Sequence, residues 1–287
     1  MDNANFSFNI IADLQFMWQY DFMRHAFEAG TIVAIIAGIV GYFVVLRRSS
    51  FAAHALSHIG FAGAAGAVLF GINPIIGLLV FTSGGGIAMA TLGRKAAERD
   101  VQIGTVLAFM LGLGVLFISL YSGYATEAYS LLFGEILGIS MSDVIVTLVA
   151  AIILLAIIGA IYRPLLFTSL DEDVAEAKGV SIVMIGILFM ILIAIATSMA
   201  VQVVGVLLIF ALMVTPAATA QRLARRPGQG ILISVLIALF ATWFGLFISF
   251  YVPYPVSFFI TSTTFVIYLA TRFIRRPLPN LGISDGA

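Results

Sequence analysis

Two of the three histidines in this 287-residue chain, His54 and His58, stand four residues apart in FAAHALSHIGFAGAAGA (51–67), a segment otherwise apolar and small. Residues i and i+4 of a helix share one face, about 6 Å apart. Two imidazoles so placed can converge on one ion, as paired histidines do in zinc sites. Counted from Ser49 at about 1.5 Å per residue, His58 stands about 13–14 Å along the helix. An ionisable group at that depth in an apolar span is costly and points to function. The structural alternative is open as well: both rings neutral and hydrogen-bonded to Ser57 or the neighbouring backbone.

The pair does not read as a protease site. The zinc-protease pattern H-E-x-x-H needs its Glu as general base, and Ala55 stands in that position. No G-x-S-x-G nucleophile motif is present either. Two imidazoles leave a zinc shell incomplete, because an exchangeable site takes three protein ligands. Glu135, in LLFGEILGIS, is the candidate third ligand, with a solvated loop acid as the alternative. Asp143 is weaker, since it can equally cap a helix. Ser57, Gly60, Gly63 and Gln202 are candidate path residues; Gln202 is the sole amide in 181–220. Gly60, Gly63 and Gly66 permit close helix approach, and also unwinding.

The elements that must carry these residues follow from composition. The chain is 62% apolar and 10% charged, where soluble domains carry about 45–50% and about 25%. Nine apolar spans are expected: 26–46, 50–70, 72–92, 102–121, 142–162, 181–199, 201–220, 231–251 and 256–271. Each is on the order of the ~20 residues that cross a bilayer as a helix. The expected fold is all-α, a polytopic transmembrane bundle. Residues 1–25 form an N-terminal extracytoplasmic or interfacial segment, 26–276 the membrane domain, and 277–287 a tail. Arg163-Pro164 is expected to end the fifth span, and Gln202 marks the weakest boundary. The connection 122–140 is semi-polar and long enough to dip into the membrane.

Charge orients the chain. With the N-terminus outside and the C-terminus in the cytoplasm, every one of the 14 Lys and Arg except Arg24 falls on the cytoplasmic side, as the positive-inside rule requires. Asp2, Asp13, Asp21, Glu28, Glu127, Glu135 and Asp143 fall on or near the outer side. An acidic mouth would gather cations; the positive-inside rule alone would leave the same excess. Absence of cysteine excludes disulfides and thiolate ligands.

Uphill movement of an ion needs an energy source, and the sequence has no Walker A pattern. An external motor would need a handle. The segment SLDEDVAEAKGVS (169–181) opens on capping residues, can form a short charged helix, and stops at Gly179.

At this point the residues resemble a family: the permease subunits of zinc/manganese-type ABC importers. The resemblance runs through GYFVVLRRSSFAAHALSHIGFAGAAGAVLFG (41–71), LLFGEILGIS (131–140), DEDVAEAKGV (171–180) and VVGVLLIFALMVTPAATAQRLAR (203–225), in that order. It implies a homodimer of permeases in the prokaryotic cytoplasmic (inner) membrane. Two cytosolic ATPase subunits and an extracytoplasmic metal-binding protein would be the partners, with no nucleic acid. It further implies that Asp171, Glu172, Asp173, Glu176, Lys178 and Gly179 form the coupling segment against the ATPase. The family usually has Asp, three residues and His in its second span; His58 matches the His, and His54 stands where Asp is common. Glu135 matches an acidic position of the LFG motif. A neutral nitrogen in place of an anionic oxygen favours zinc over manganese by ligand type. No permanently bound cofactor is expected; the divalent metal is cargo. The rival expectations are a permease for a metal chelate such as a siderophore or corrinoid, and a membrane enzyme or structural partner protein.

Overall fold

The computed structural model describes residues 10–91, 96–121, 136 and 138–274. Among them are eleven helices and no strand. The order is α1 (Ile10–Met17), α2 (Asp21–Leu46), α3 (Ser50–Leu69), α4 (Pro74–Thr91), α5 (Ala96–Leu120) and α6 (Met141–Leu170). Then follow α7 (Glu172–Ala177), α8 (Ile182–Val204), α9 (Val206–Leu223), α10 (Pro227–Tyr251) and α11 (Val256–Ile274).

Among the described residues, eight helices are long and apolar enough to cross a membrane, and the apolar helix Leu208–Leu223 within α9 is shorter. Those nine correspond one to one with the expected spans. Helix is the form that satisfies backbone hydrogen bonds where lipid offers none. Burial separates an inner layer from an outer one. The most apolar stretches of α2 and α3 are 67% and 78% buried, against 11% for α5 and 17% for α11. The centre is therefore α2, α3 and α8, with α4 and α5 packed on α3, and α10 on α2.

Two boundaries differ from the sequence expectation. Pro164 does not end the fifth span; it lies inside α6, which continues to Leu170. Proline forfeits one backbone bond and crowds the carbonyl four residues back. Here the extra turns are held by tertiary contacts. Leu165 is fully buried, and Arg47 Nη1 donates to Thr168 Oγ1 at 2.8 Å. The break in the 181–220 stretch falls at Gly205, not Gln202. Gly205 has φ 82° and ψ 163°, a region essentially reserved for glycine.

Helix ends explain most of the remaining chain reversals. Ser140 and Asp143 form a reciprocal capping box on α6, the capping role open to Asp143 from the sequence. After α2, Ser49 N–H reaches Val44 O at 2.8 Å and Arg48 N–H reaches Val45 O at 3.1 Å. This is a Schellman closure, with Arg48 at φ 54° in the place glycine usually takes. At the opposite end of α2, Arg24 is ion-paired with Asp21, and His25 Nδ1 donates to Ile139 O at 3.2 Å. Trp18 and Tyr20, exposed beside α1, sit in the turn before α2.

Candidate functional site: a paired imidazole on a buried helix

His58 is the ninth of the twenty residues of α3, which places it near the helix midpoint. The His54 and His58 rings meet edge to face with centroids 4.7 Å apart. The Phe210 ring of α9 closes one side, 4.9 Å from His54. Both rings are partly buried and partly exposed. Each Nδ1 is buried and, among the described residues, has no hydrogen-bond partner. The Ser57 hydroxyl does not serve either ring: it donates to the His54 carbonyl at 2.7 Å, as mid-helix serines often do.

No carboxylate accompanies the pair on α3, α4, α8 or α9. Among the described residues, no group of three or more His, Cys, Asp or Glu is gathered as a metal site. Glu135, the expected third ligand, lies outside the described residues, as do the side chain of Gln202 and most of 122–140.

The glycines expected along the path have a different placement. A Cβ on Gly60 would stand 2.8 Å from Thr82 Cγ2, and one on Gly63 would stand 2.3 Å from Gly77 O. Both residues lie in the seam between α3 and α4, and Gly63 lies on the opposite side of α3 from His54, since nine residues at 100° each make half a turn. Gly66 meets Phe117 of α5 in the same manner. Close packing accounts for all three. Beside that seam, Thr82 Oγ1 and Ser198 Oγ of α8 share a buried hydrogen bond of 2.8 Å.

The 169–181 segment forms the short charged helix α7. Asp171 caps it, its Oδ1 accepting from Val174 N–H at 3.0 Å. Gly179, at φ 79°, ends it. Gly179 N–H bonds to Glu176 O at 2.8 Å and Val180 N–H to Ala175 O at 3.1 Å. Ala175 is buried between α6 and α8, whereas Asp171, Glu172, Asp173, Glu176, Lys178 and Gly179 are all exposed. Lys178 Nζ stands 4.8 Å over the Phe167 ring. The start of α7 shares a cavity of about 360 Å³ with the corner between α2 and α3. Arg47, Arg48, Ser49, Thr168, Asp171 and Glu172 line it. Arg47 bridges that joint, its Cζ 5.3 Å from the Phe189 ring centroid.

Phe210 was not distinguished by sequence reasoning. It is one of many phenylalanines in apolar spans, and only the packing of α9 on α3 brings it to His54. The signal available was its place within 203–225.

A bundle of apolar helices around a buried helix that carries two imidazoles near its midpoint, with a charged helix at one end, is a membrane transport component. The chain belongs to the ABC 3 transport family, whose profile matches residues 19–275. It is 33% identical over 257 residues to the manganese import system permease protein ScaB of Streptococcus parasanguinis, covering 89% of this chain and 91% of that one. It is 29% identical over 231 residues to the high-affinity zinc uptake system membrane protein ZnuB of Haemophilus influenzae, covering 80% and 88%. Its fold is similar to a chain of PsaBC from Streptococcus pneumoniae in complex with Fab, with TM-score 0.83, 30% identity, and 92% and 96% coverage.

Proposed function

We propose that this chain is the permease subunit of an ATP-driven importer of divalent transition-metal ions, with zinc favoured and manganese possible as cargo. Two copies form the path in a prokaryotic cytoplasmic membrane, with the N-terminus outside and the C-terminus inside. A separate cytosolic ATPase supplies energy, and an extracytoplasmic binding protein delivers the ion. The observation that carries this reading is the His54–His58 pair: two adjacent rings near the middle of α3, each with a buried Nδ1 that has no partner among the described residues. A buried polar atom left unpaired costs about 1–3 kcal/mol, a cost that an arriving ion removes.

Each imidazole replaces part of the water shell that the cation sheds in the membrane. Two neutral nitrogens per chain hold it only briefly, whereas a closed four-ligand shell would trap it. Glu135 is the proposed third contact. Ser57, Gly60, Gly63 and Gln202 are kept as candidates around the path, with the two glycines acting through helix approach. Residues 171–179 couple to the ATPase, and the Arg47–Thr168 bridge links their motion to the start of α3. His54 in place of Asp supports zinc by ligand softness, while the relatives include both manganese and zinc systems by name.

The test is uptake of radiolabelled zinc and manganese by cells carrying His54→Ala/His58→Ala. Uptake of both ions is expected to vanish while the permease still assembles with its ATPase. Undiminished transport would remove the pair from the mechanism.

A further inference from the structure

Between Glu176 and Asp285 the sequence contains no Asp or Glu, yet it holds Lys178, Arg222, Arg225, Arg226, Arg272, Arg275 and Arg276. The fold brings four of these arginines to one end of the bundle. α9, α10 and α11 pack on one another. Arg222, in the last turn of α9, lies with its Cζ 5.2 Å from the Tyr268 ring of α11. Arg272 follows Tyr268 by one turn on α11. Arg225 and Arg226 occupy the turn into α10, and all four arginines are exposed.

Two further features describe what this patch accommodates. Arg226 is the N-cap of α10 with no side-chain cap, and Pro227 opens the helix. Pro227 carries no N–H and the Gly230 N–H bonds to Arg226 O at 3.0 Å, so the N–H groups left for an anion in this first turn are those of Gly228 and Gln229, next in sequence to Arg225 and Arg226. Among the described residues, nothing lies within 4 Å of a Cβ position on Gly228 in that first turn, which leaves room for a bulky group at the backbone. Leu223 and Phe273, next in sequence to Arg222 and Arg272, and Leu232, further along α10, are exposed, Phe273 at 79%. The patch thus joins an apolar belt to a cationic rim, the profile of a headgroup with its acyl chains.

We propose that Arg222, Arg225, Arg226 and Arg272 form a binding surface for the phosphate headgroup of an anionic phospholipid. Phosphate oxygens meet the guanidinium groups and the α10 N-terminus, and the acyl chains lie along Leu223, Leu232 and Phe273. The acids of α7 mark the same end of the molecule: the close of α2 meets the end of α6 through Arg47 and Thr168 and the start of α10 through Tyr42 and Gly230. At that end α7 sets its acids beside Arg47, Arg48 and Lys178, whereas α9, α10 and α11 carry no Asp or Glu to partner their arginines. From the functional reading, the proposal takes only that this end is cytoplasmic.

The experiment measures boundary lipid by electron spin resonance on the full chain. The protein is reconstituted in phosphatidylcholine with a trace of spin-labelled phosphatidylglycerol or spin-labelled phosphatidylcholine. The native chain should prefer the anionic probe. Replacing Arg222, Arg225 and Arg226 by Gln should weaken that preference by about fivefold per arginine near the surface. The corresponding Lys variant should keep most of it, and high salt should lessen it. Because Arg222 also stacks on Tyr268, the exposed pair Arg225→Gln/Arg226→Gln serves if the triple variant does not fold. Equal affinity for the two probes, or a preference that survives neutralisation, overturns the proposal. Loss of the ATPase from the Gln variants in pure phosphatidylcholine also overturns it, making the patch a protein interface. Orientation is read separately with Gly228→Cys in this cysteine-free chain. Labelling by an impermeant maleimide from outside intact cells would overturn the orientation, whatever the lipid result.

Discussion

Gly63 of α3 and Gly77 of α4 meet backbone to backbone. A Cβ on either would lie 2.3 Å or 2.2 Å from the carbonyl oxygen of the other. This reciprocal contact seats the histidine-bearing helix against its neighbour without any intervening side chain. It is the small-residue packing that membrane helices use where lipid removes the hydrophobic drive for association.

Gly63→Ala should therefore destabilise the protein by about 1–3 kcal/mol, the usual cost of overpacking, because the obstacle is backbone rather than a flexible side chain. Gly84→Ala, on the same α4 helix but with nothing within 4 Å of its Cβ position, should be neutral or stabilising by up to about 1 kcal/mol. Thermal unfolding in detergent compares the two. Equal effects would remove the seam as an explanation.

Two backbone positions should respond to glycine exchange in opposite directions. Gly205→Ala forces a side chain into φ 82°, ψ 163° and should cost about 1–3 kcal/mol. Arg48→Gly relieves a non-glycine residue at φ 54° and should gain about 1 kcal/mol. Unfolding curves for both variants provide the check.

His54→Asp exchanges the proposed imidazole ligand for the carboxylate that the family resemblance leads one to expect there. Harder oxygen donors suit manganese better than imidazole does. The ratio of manganese to zinc uptake should rise severalfold while assembly is retained. An unchanged ratio would show that this ring does not select the ion.

For α7, the proposed coupling helix, capping can be separated from charge. Asp171→Asn keeps an N-cap side chain of nearly equal quality, so α7 and its binding of the ATPase should persist. Reversing Asp171, Glu172 and Asp173 to Lys should sharply lower the ATPase recovered on co-purification. Full recovery would exclude α7 as the docking element.

The spans were legible because lipid imposes a one-dimensional rule: each helix must satisfy its own backbone and show apolar side chains along its length. Among the described residues, that rule located the eight long helices and the shorter apolar one in α9. The 169–181 helix was legible from Asp171 and Gly179, whose capping and left-handed roles are local. The end of α6 was not. Proline is normally a stop, and only the Arg47–Thr168 bond and the burial of Leu165 carry the helix past Pro164. Nor was the break at Gly205, since apolar residues surround it on both sides and hydropathy does not change there.

The histidine pair divides in the same way. Spacing by itself determined that His54 and His58 share one helix face near mid-depth, because helical periodicity is a property of the local chain. Tertiary structure alone decided that Phe210 closes on His54, that Ser57 leaves the rings unserved, and that Gly60 and Gly63 belong to a seam. Those outcomes depend on which helices become neighbours and how closely they approach. Packing of that kind is set by the whole bundle at once and leaves no periodic trace in any single segment.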